Sequence, residues 1–184
     1  MDEEKVINEG EAVEEAIKGE EIVFSKELVE EEEIPTEEKH KSIYQQILTL
    51  GISGKIQLAQ KGNKEARSIL IKDPNKLVCG AVVKSPKVND AEALTYAKSR
   101  TVSDEVLRLI SNNKSWMRSH EIVVALVNNP RTPIGISMKL MLSLNDKELV
   151  DLSKAKGIPG ALASAAKRLV MAKIHKQEKK DKKH

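Results

Sequence analysis

The side chains able to do chemistry are few and scattered along the chain. Four histidines, His40, His120, His175 and His184, show none of the close spacings that zinc sites use. Most carboxylates crowd into the first 39 residues, and no nucleophile, base and orienting group can be assembled by spacing. Cys79, the only cysteine, lies in the apolar run Leu77-Val78-Cys79-Gly80-Ala81-Val82-Val83 and reads as a buried structural thiol. The single glycines Gly51, Gly54, Gly62 and Gly157 make neither a phosphate-binding loop nor a dinucleotide fingerprint, and turns at helix ends account for them. The expectation is a protein that is not an enzyme and holds no metal or cofactor. What remains is recognition of negative charge by lysine and arginine.

Charge is distributed in opposed blocks. Residues 1–39 hold 16 acidic and 4 basic side chains; of chain totals of 28 and 31, that leaves 12 acidic and 27 basic residues for 40–184, so a net −12 leader precedes a net +15 body. Such asymmetry bears on partners rather than on fold. The leader, ending in Glu30-Glu31-Glu32-Glu33-Ile34-Pro35, has too few large apolar residues to bury, and disorder is expected over 1–39. A short amphipathic element around Ile22, Val23, Leu28 and Val29 is available to dock on a partner or on the basic body. From about Lys173 the chain is lysine-rich and is expected to fray. No apolar run approaches the roughly twenty residues of a membrane span, and the start Met1-Asp2-Glu3-Glu4 is unlike a secretion signal, so a cytoplasmic location without membrane insertion is expected. Only Phe24, Tyr44, Tyr96 and Trp116 are aromatic, too few to stack unpaired bases.

Between the ends, from 40 to 172, short apolar-periodic segments predict an all-α domain of about nine or ten helices. In Ser103-Asp104-Glu105-Val106-Leu107-Arg108-Leu109-Ile110, Ser103 can cap, Asp104 and Glu105 complement the positive helix end, and Val106, Leu107 and Ile110 share a face before the stop Asn112-Asn113. The run Ile122 to Val127, apolar on all sides, predicts a helix buried in a stack, and the segment from Pro133 with Met138, Leu140, Met141, Leu142 and Leu144 reads as core.

One helix-end pattern recurs. Ile69-Leu70-Ile71-Lys72-Asp73-Pro74-Asn75, Ala81-Val82-Val83-Lys84-Ser85-Pro86-Lys87 and Ala125-Leu126-Val127-Asn128-Asn129-Pro130-Arg131 each run three apolar residues, two polar ones, Pro and a polar residue. The apolar triplet is the last buried turn, the polar pair can satisfy helix-end carbonyls, and Pro prevents continuation. A degenerate copy, Leu109-Ile110-Ser111-Asn112-Asn113-Lys114, puts Asn113 in the Pro position. A longer echo matches Asn89-Asp90-Ala91-Glu92-Ala93-Leu94 with Asn145-Asp146-Lys147-Glu148-Leu149-Val150, 56 residues on, each opening like a capping box. The run Val127-Asn128-Asn129-Pro130-Arg131-Thr132-Pro133 resembles the Asn-Pro-x-Thr-Pro signature of leucine-rich repeat variant units, α-solenoids allied to HEAT and armadillo repeats. The match covers one unit clearly, with echoes over 63–172; the other copies lack Thr-Pro, and the cysteines of the iron–sulfur cluster linked to one such protein are absent. The resemblance implies a short right-handed solenoid that binds along a surface, with no substrate and no reaction.

Solenoids align equivalent loops on one edge. Lys72, Lys84, Asn128 and Arg131 are expected along one such edge, Lys98, Arg100, Lys154 and Lys156 along a second, and Trp116 with Arg118 as an anchor pair of the types enriched at binding hot spots. The function expected is a scaffold with a basic surface for an acidic protein partner; the alternative is sequence-independent binding of nucleic-acid phosphates. In a version common to both, the acidic leader lies across the basic surface and competes with the ligand. The sequence leaves the oligomeric state open.

Overall fold

The computed structural model describes residues 21–31 and 37–181, the last six of these by their helix alone. Among the described residues there are eleven α-helices, two short 3-10 helices and no strand. The all-α class follows, and ten of the helices lie from Glu37 onward, as the periodicity predicted. The chain divides into two compact units, Met1–Asn89 and Asp90–His184.

In the first unit, α1 is Lys26–Val29, α2 Glu37–Thr49, α3 Ile52–Lys61, α4 Lys64–Leu70 and α5 Lys76–Lys84. Packing joins neighbours and next-neighbours: α2 lies on α4, α3 on α5, and α1 on α2, α3 and α4. Ile43, Ile47, Ile56, Leu58, Leu70, Val78 and Val82 are buried. Asn63 and Asn75 cap α4 and α5 through side-chain oxygens that accept the Ala66 and Leu77 N–H groups. The domain boundary expected at 39 falls inside α2. Glu21–Glu31 is packed on the first unit rather than free, because Leu28 buries its side chain and the backbone finds partners on the body. The rest of the expected leader lies outside the described residues.

The second unit holds α6 (Asp90–Lys98), α7 (Asp104–Asn112), a 3-10 turn (Trp116–Arg118), α8 (His120–Asn128), α9 (Ile134–Leu140), a 3-10 turn (Met141–Ser143), α10 (Asp146–Lys154) and α11 (Gly160–Asp181). Here α6 lies on α8, α9 on α8 and α11, and α10 on α11. Val127, Met141, Leu144, Leu149, Leu152, Leu162 and Ala166 form one core cluster. Leu142, expected in the core, is 69% exposed, because the chain tightens to a 3-10 turn there and turns that residue outward. The helix expected to end near Lys173 runs on to Asp181, through residues that are good helix formers. Residues 182–184 lie outside the described residues.

The repeated motif has a common geometry. The polar residue before each Pro accepts the N–H two residues on: Asp73 from Asn75 at 2.8 Å, Ser85 from Lys87 at 3.4 Å and Asn129 from Arg131 at 3.0 Å. In the degenerate copy Asn113 accepts from Ser115 at 3.0 Å. Asn113 therefore stands for the residue before Pro, not for Pro itself, a one-residue correction to the expected alignment. The 56-residue echo also holds at the level of structure: α6 and α10 are nine-residue helices beginning at Asp90 and Asp146. Asn145 and Glu148 complete a capping box. Neighbour-on-neighbour packing with recurring turns is compatible with a helical repeat.

Candidate functional site

On the second unit a groove of about 570 Å³ runs along α8. That helix supplies His120, Glu121, Val124, Ala125 and Asn128 to its wall, positions that share one face at the helical period. The opposite face carries Ile122, Val123, Leu126 and Val127 into the interior. Burial of this segment is thus nearly all-round, with Val124 half-exposed in the groove.

Asn129 sets the geometry at the C-terminal end of α8. Its Oδ1 holds the Pro130 turn, and its Nδ2 donates to Ala97 O at 2.7 Å and Ser99 O at 2.8 Å, carbonyls at and just beyond the end of α6. Thr132 Oγ1 donates to Leu126 O at 2.6 Å, closing the same turn. These bonds bring Lys98 and Arg100, which follow from α6, beside Asn128. Arg131 Nη1 donates to Arg100 O at 3.4 Å. A Cβ placed on Gly157, whose φ is 85°, would lie 3.9 Å from Arg100 Nη1, so the loop carrying Lys156 also reaches this corner.

The opposite end is acidic. His120 Nε2 lies 2.8 Å from Glu148 Oε1, Glu148 Oε2 accepts the Asn145 N–H at 2.9 Å, and Glu121 lines the wall beside them. Partial burial pushes the Glu148 carboxyl up, but the Asn145 N–H, the His120 ring and the Asn145 side chain outweigh it and hold the carboxyl below its ordinary value. A depressed folded value means stability that is fully present above the ordinary value of 4.5 and is lost as pH falls through the folded value. Thermal melts of the wild type from pH 7 to pH 3 should therefore show a loss that Glu148→Gln makes smaller; parallel pH profiles would contradict this.

Of the residues expected to bind, the structure gathers Lys98, Arg100, Asn128 and Arg131 at one corner, with the loop of Lys156. Lys154 ends α10, exposed. Trp116 is 6% exposed, so it covers the junction of α7 and α8 instead of anchoring a partner, and Arg118 is exposed outside the groove. Lys84 ends α5 in the first unit, exposed. Lys72 lines a separate hollow of about 450 Å³ in that unit, beside Tyr44 and Leu48, which are exposed, and the Lys55–Asp73 pair at 2.8 Å. Sequence reasoning missed His120, Glu121, Val124 and Glu148. The spacing 120, 121, 124, 125, 128 was the signal that marks them as one face of α8.

Among the described residues no three His, Cys, Asp or Glu side chains are placed to hold a metal, and no helix is long and apolar enough to cross a membrane. Comparison with protein-family models, with curated proteins and with solved structures finds no match.

Proposed function

We propose that this chain is a non-enzymatic binding scaffold, a helical repeat of the HEAT and armadillo kind whose second unit holds an acidic segment of a protein partner. One observation carries the reading: Lys98, Arg100 and Arg131 meet at the end of α8, next to a wall of Val124 and Ala125. Cationic groups beside an apolar strip suit a carboxylate followed by aliphatic side chains, and the Asn129 clip holds the corner in place before any ligand arrives. Glu121 and Glu148 in the same groove weigh against a phosphate backbone, which would meet their charge along its length.

The test is fluorescence polarisation with a labelled ten-residue peptide of two Glu followed by alternating Ser and Leu, beside the same peptide with Gln for Glu. The acidic peptide should bind, and the Arg100→Glu, Arg131→Glu double variant should weaken it by about tenfold or more. Equal binding of the Glu and Gln peptides would refute the reading. Binding of a single-stranded oligothymidylate with a steep salt dependence, and of neither peptide, would turn it to nucleic acid.

A further inference from the structure

We infer that the first unit contains a second peptide site, already filled in cis by Glu21–Glu31, and that this site takes in trans an acidic segment of a partner protein with one leucine anchor three residues before a carboxylate. The segment is held through its main chain as well as its side chains. Asn63 Nδ2 donates to Glu27 O at 2.7 Å and Glu30 O at 2.9 Å, and Asn63 N–H donates to Leu28 O at 2.8 Å. Ile22 N–H donates to Gln57 Oε1 at 3.1 Å. These four bonds read backbone and would accept any sequence.

Side chains supply selectivity, Leu28 and Glu31 foremost. Leu28 is the one residue of the segment that is fully buried, whereas Val23 is 93% exposed. Glu31, three residues on, lies 3.4 Å from Arg67 Nη2 and accepts the Lys64 N–H at 3.0 Å. Glu27 adds bonds from Gln46 Nε2 at 2.9 Å and Ser42 Oγ at 3.1 Å, and Glu21 pairs with Lys61 at 2.5 Å.

The receptor groups are set by the body, not by the segment they hold. Asn63 Oδ1 accepts from Ala66 N–H within α4, which fixes the amide so that Nδ2 points to the segment. Arg67 Nη1 donates to Gly62 O at 2.8 Å, which fixes the guanidinium so that Nη2 reaches Glu31. A site built this way keeps its donors aimed when the occupant leaves, which favours exchange of one segment for another.

The test uses the full chain and a labelled peptide of residues 21–31. Leu28→Asp in the chain removes the cis anchor and leaves the receptor side chains intact. The peptide should bind this variant roughly tenfold or more tighter than it binds the wild-type chain, whose site is filled. Adding Asn63→Ala should abolish the gain, a Leu28→Ala peptide should bind poorly, and Arg100→Glu should change nothing, which separates this site from the groove on the second unit. Equal peptide binding to wild type and Leu28→Asp would overturn the inference. If Leu28→Asp fails to fold by circular dichroism, amide exchange in the wild type decides. The Asn63 and Lys64 amides should exchange about a hundredfold faster than those of Leu58 and Val82. Exchange at the core rate would mean that the segment never leaves.

Discussion

Asn129→Ala should lower the melting temperature of the second unit by roughly 10–20 °C, whereas Asn128→Ala, one residue earlier, should leave it nearly unchanged. The two side chains are chemically identical and differ in what depends on them. Asn129 is 4% exposed, and its amide satisfies the carbonyls of Ala97 and Ser99 while its oxygen holds the Arg131 N–H. Truncation leaves those groups without their side-chain partner, at a cost of about 2–4 kcal/mol. Asn128 is exposed, and among the described residues its side chain donates only to Val124 O inside its own helix. Trp116, the only tryptophan, lies buried in the second unit and reports its melting by fluorescence. Loss at Asn129 should also release Lys98 and Arg100 from the groove, so acidic-peptide affinity should fall below the melting temperature as well. Equal effects of the two alanines would mean that the clip does not hold the corner.

Gly62→Ala should destabilise the first unit by about 2–3 kcal/mol, an overpacking cost rather than a conformational one. The backbone at Gly62, φ −63° and ψ 162°, is open to any residue. The obstacle is space: a Cβ there would stand 2.5 Å from Leu58 O and 3.2 Å from the Ala66 Cβ. Neither is the free end of a flexible chain, so the turn between α3 and α4 must move. That turn carries Gly62 O, the acceptor for Arg67, and leads into Asn63, so the Glu21–Glu31 segment should loosen with it. A urea titration followed by circular dichroism measures the loss, and faster amide exchange at Asn63 locates it. Gly51→Ala is the control: nothing lies within 4 Å of its Cβ position, and the change should stay within about 1 kcal/mol.

Local chemistry was legible in the sequence wherever a few neighbouring residues decide the outcome. Ser103 caps α7 by accepting the Val106 N–H, Val106, Leu107 and Ile110 are its buried face, and Asn145 with Glu148 form the capping box. The turns at Pro74, Pro86 and Pro130 were legible for the same reason, since each closes over two residues. What stayed hidden depends on distant partners. Counting charge predicted disorder through residue 39, but the Asn63 amide binds the Glu27 and Glu30 carbonyls from 36 and 33 residues away, and backbone acceptors have no composition. Gly54 was read as a helix-end glycine; it sits inside α3, where the Ile22 side chain comes within 3.1 Å of its Cβ position. Lys98 and Arg100 were expected in a basic row with Lys154 and Lys156; they line a groove whose other end is acidic, because Glu148 reaches His120 across 28 residues.

Cys79, 1% exposed in α5, and Trp116 are each the only residue of their kind in the chain, and they fall in different units. A thiol reagent reaches the buried Cys79 only when the packing around α5 opens, while indole emission follows the turn between α7 and α8. The native polypeptide therefore carries an independent clock for each half. Coincident midpoints in denaturant would make the chain a single cooperative body, and separated midpoints would make it two domains in tandem.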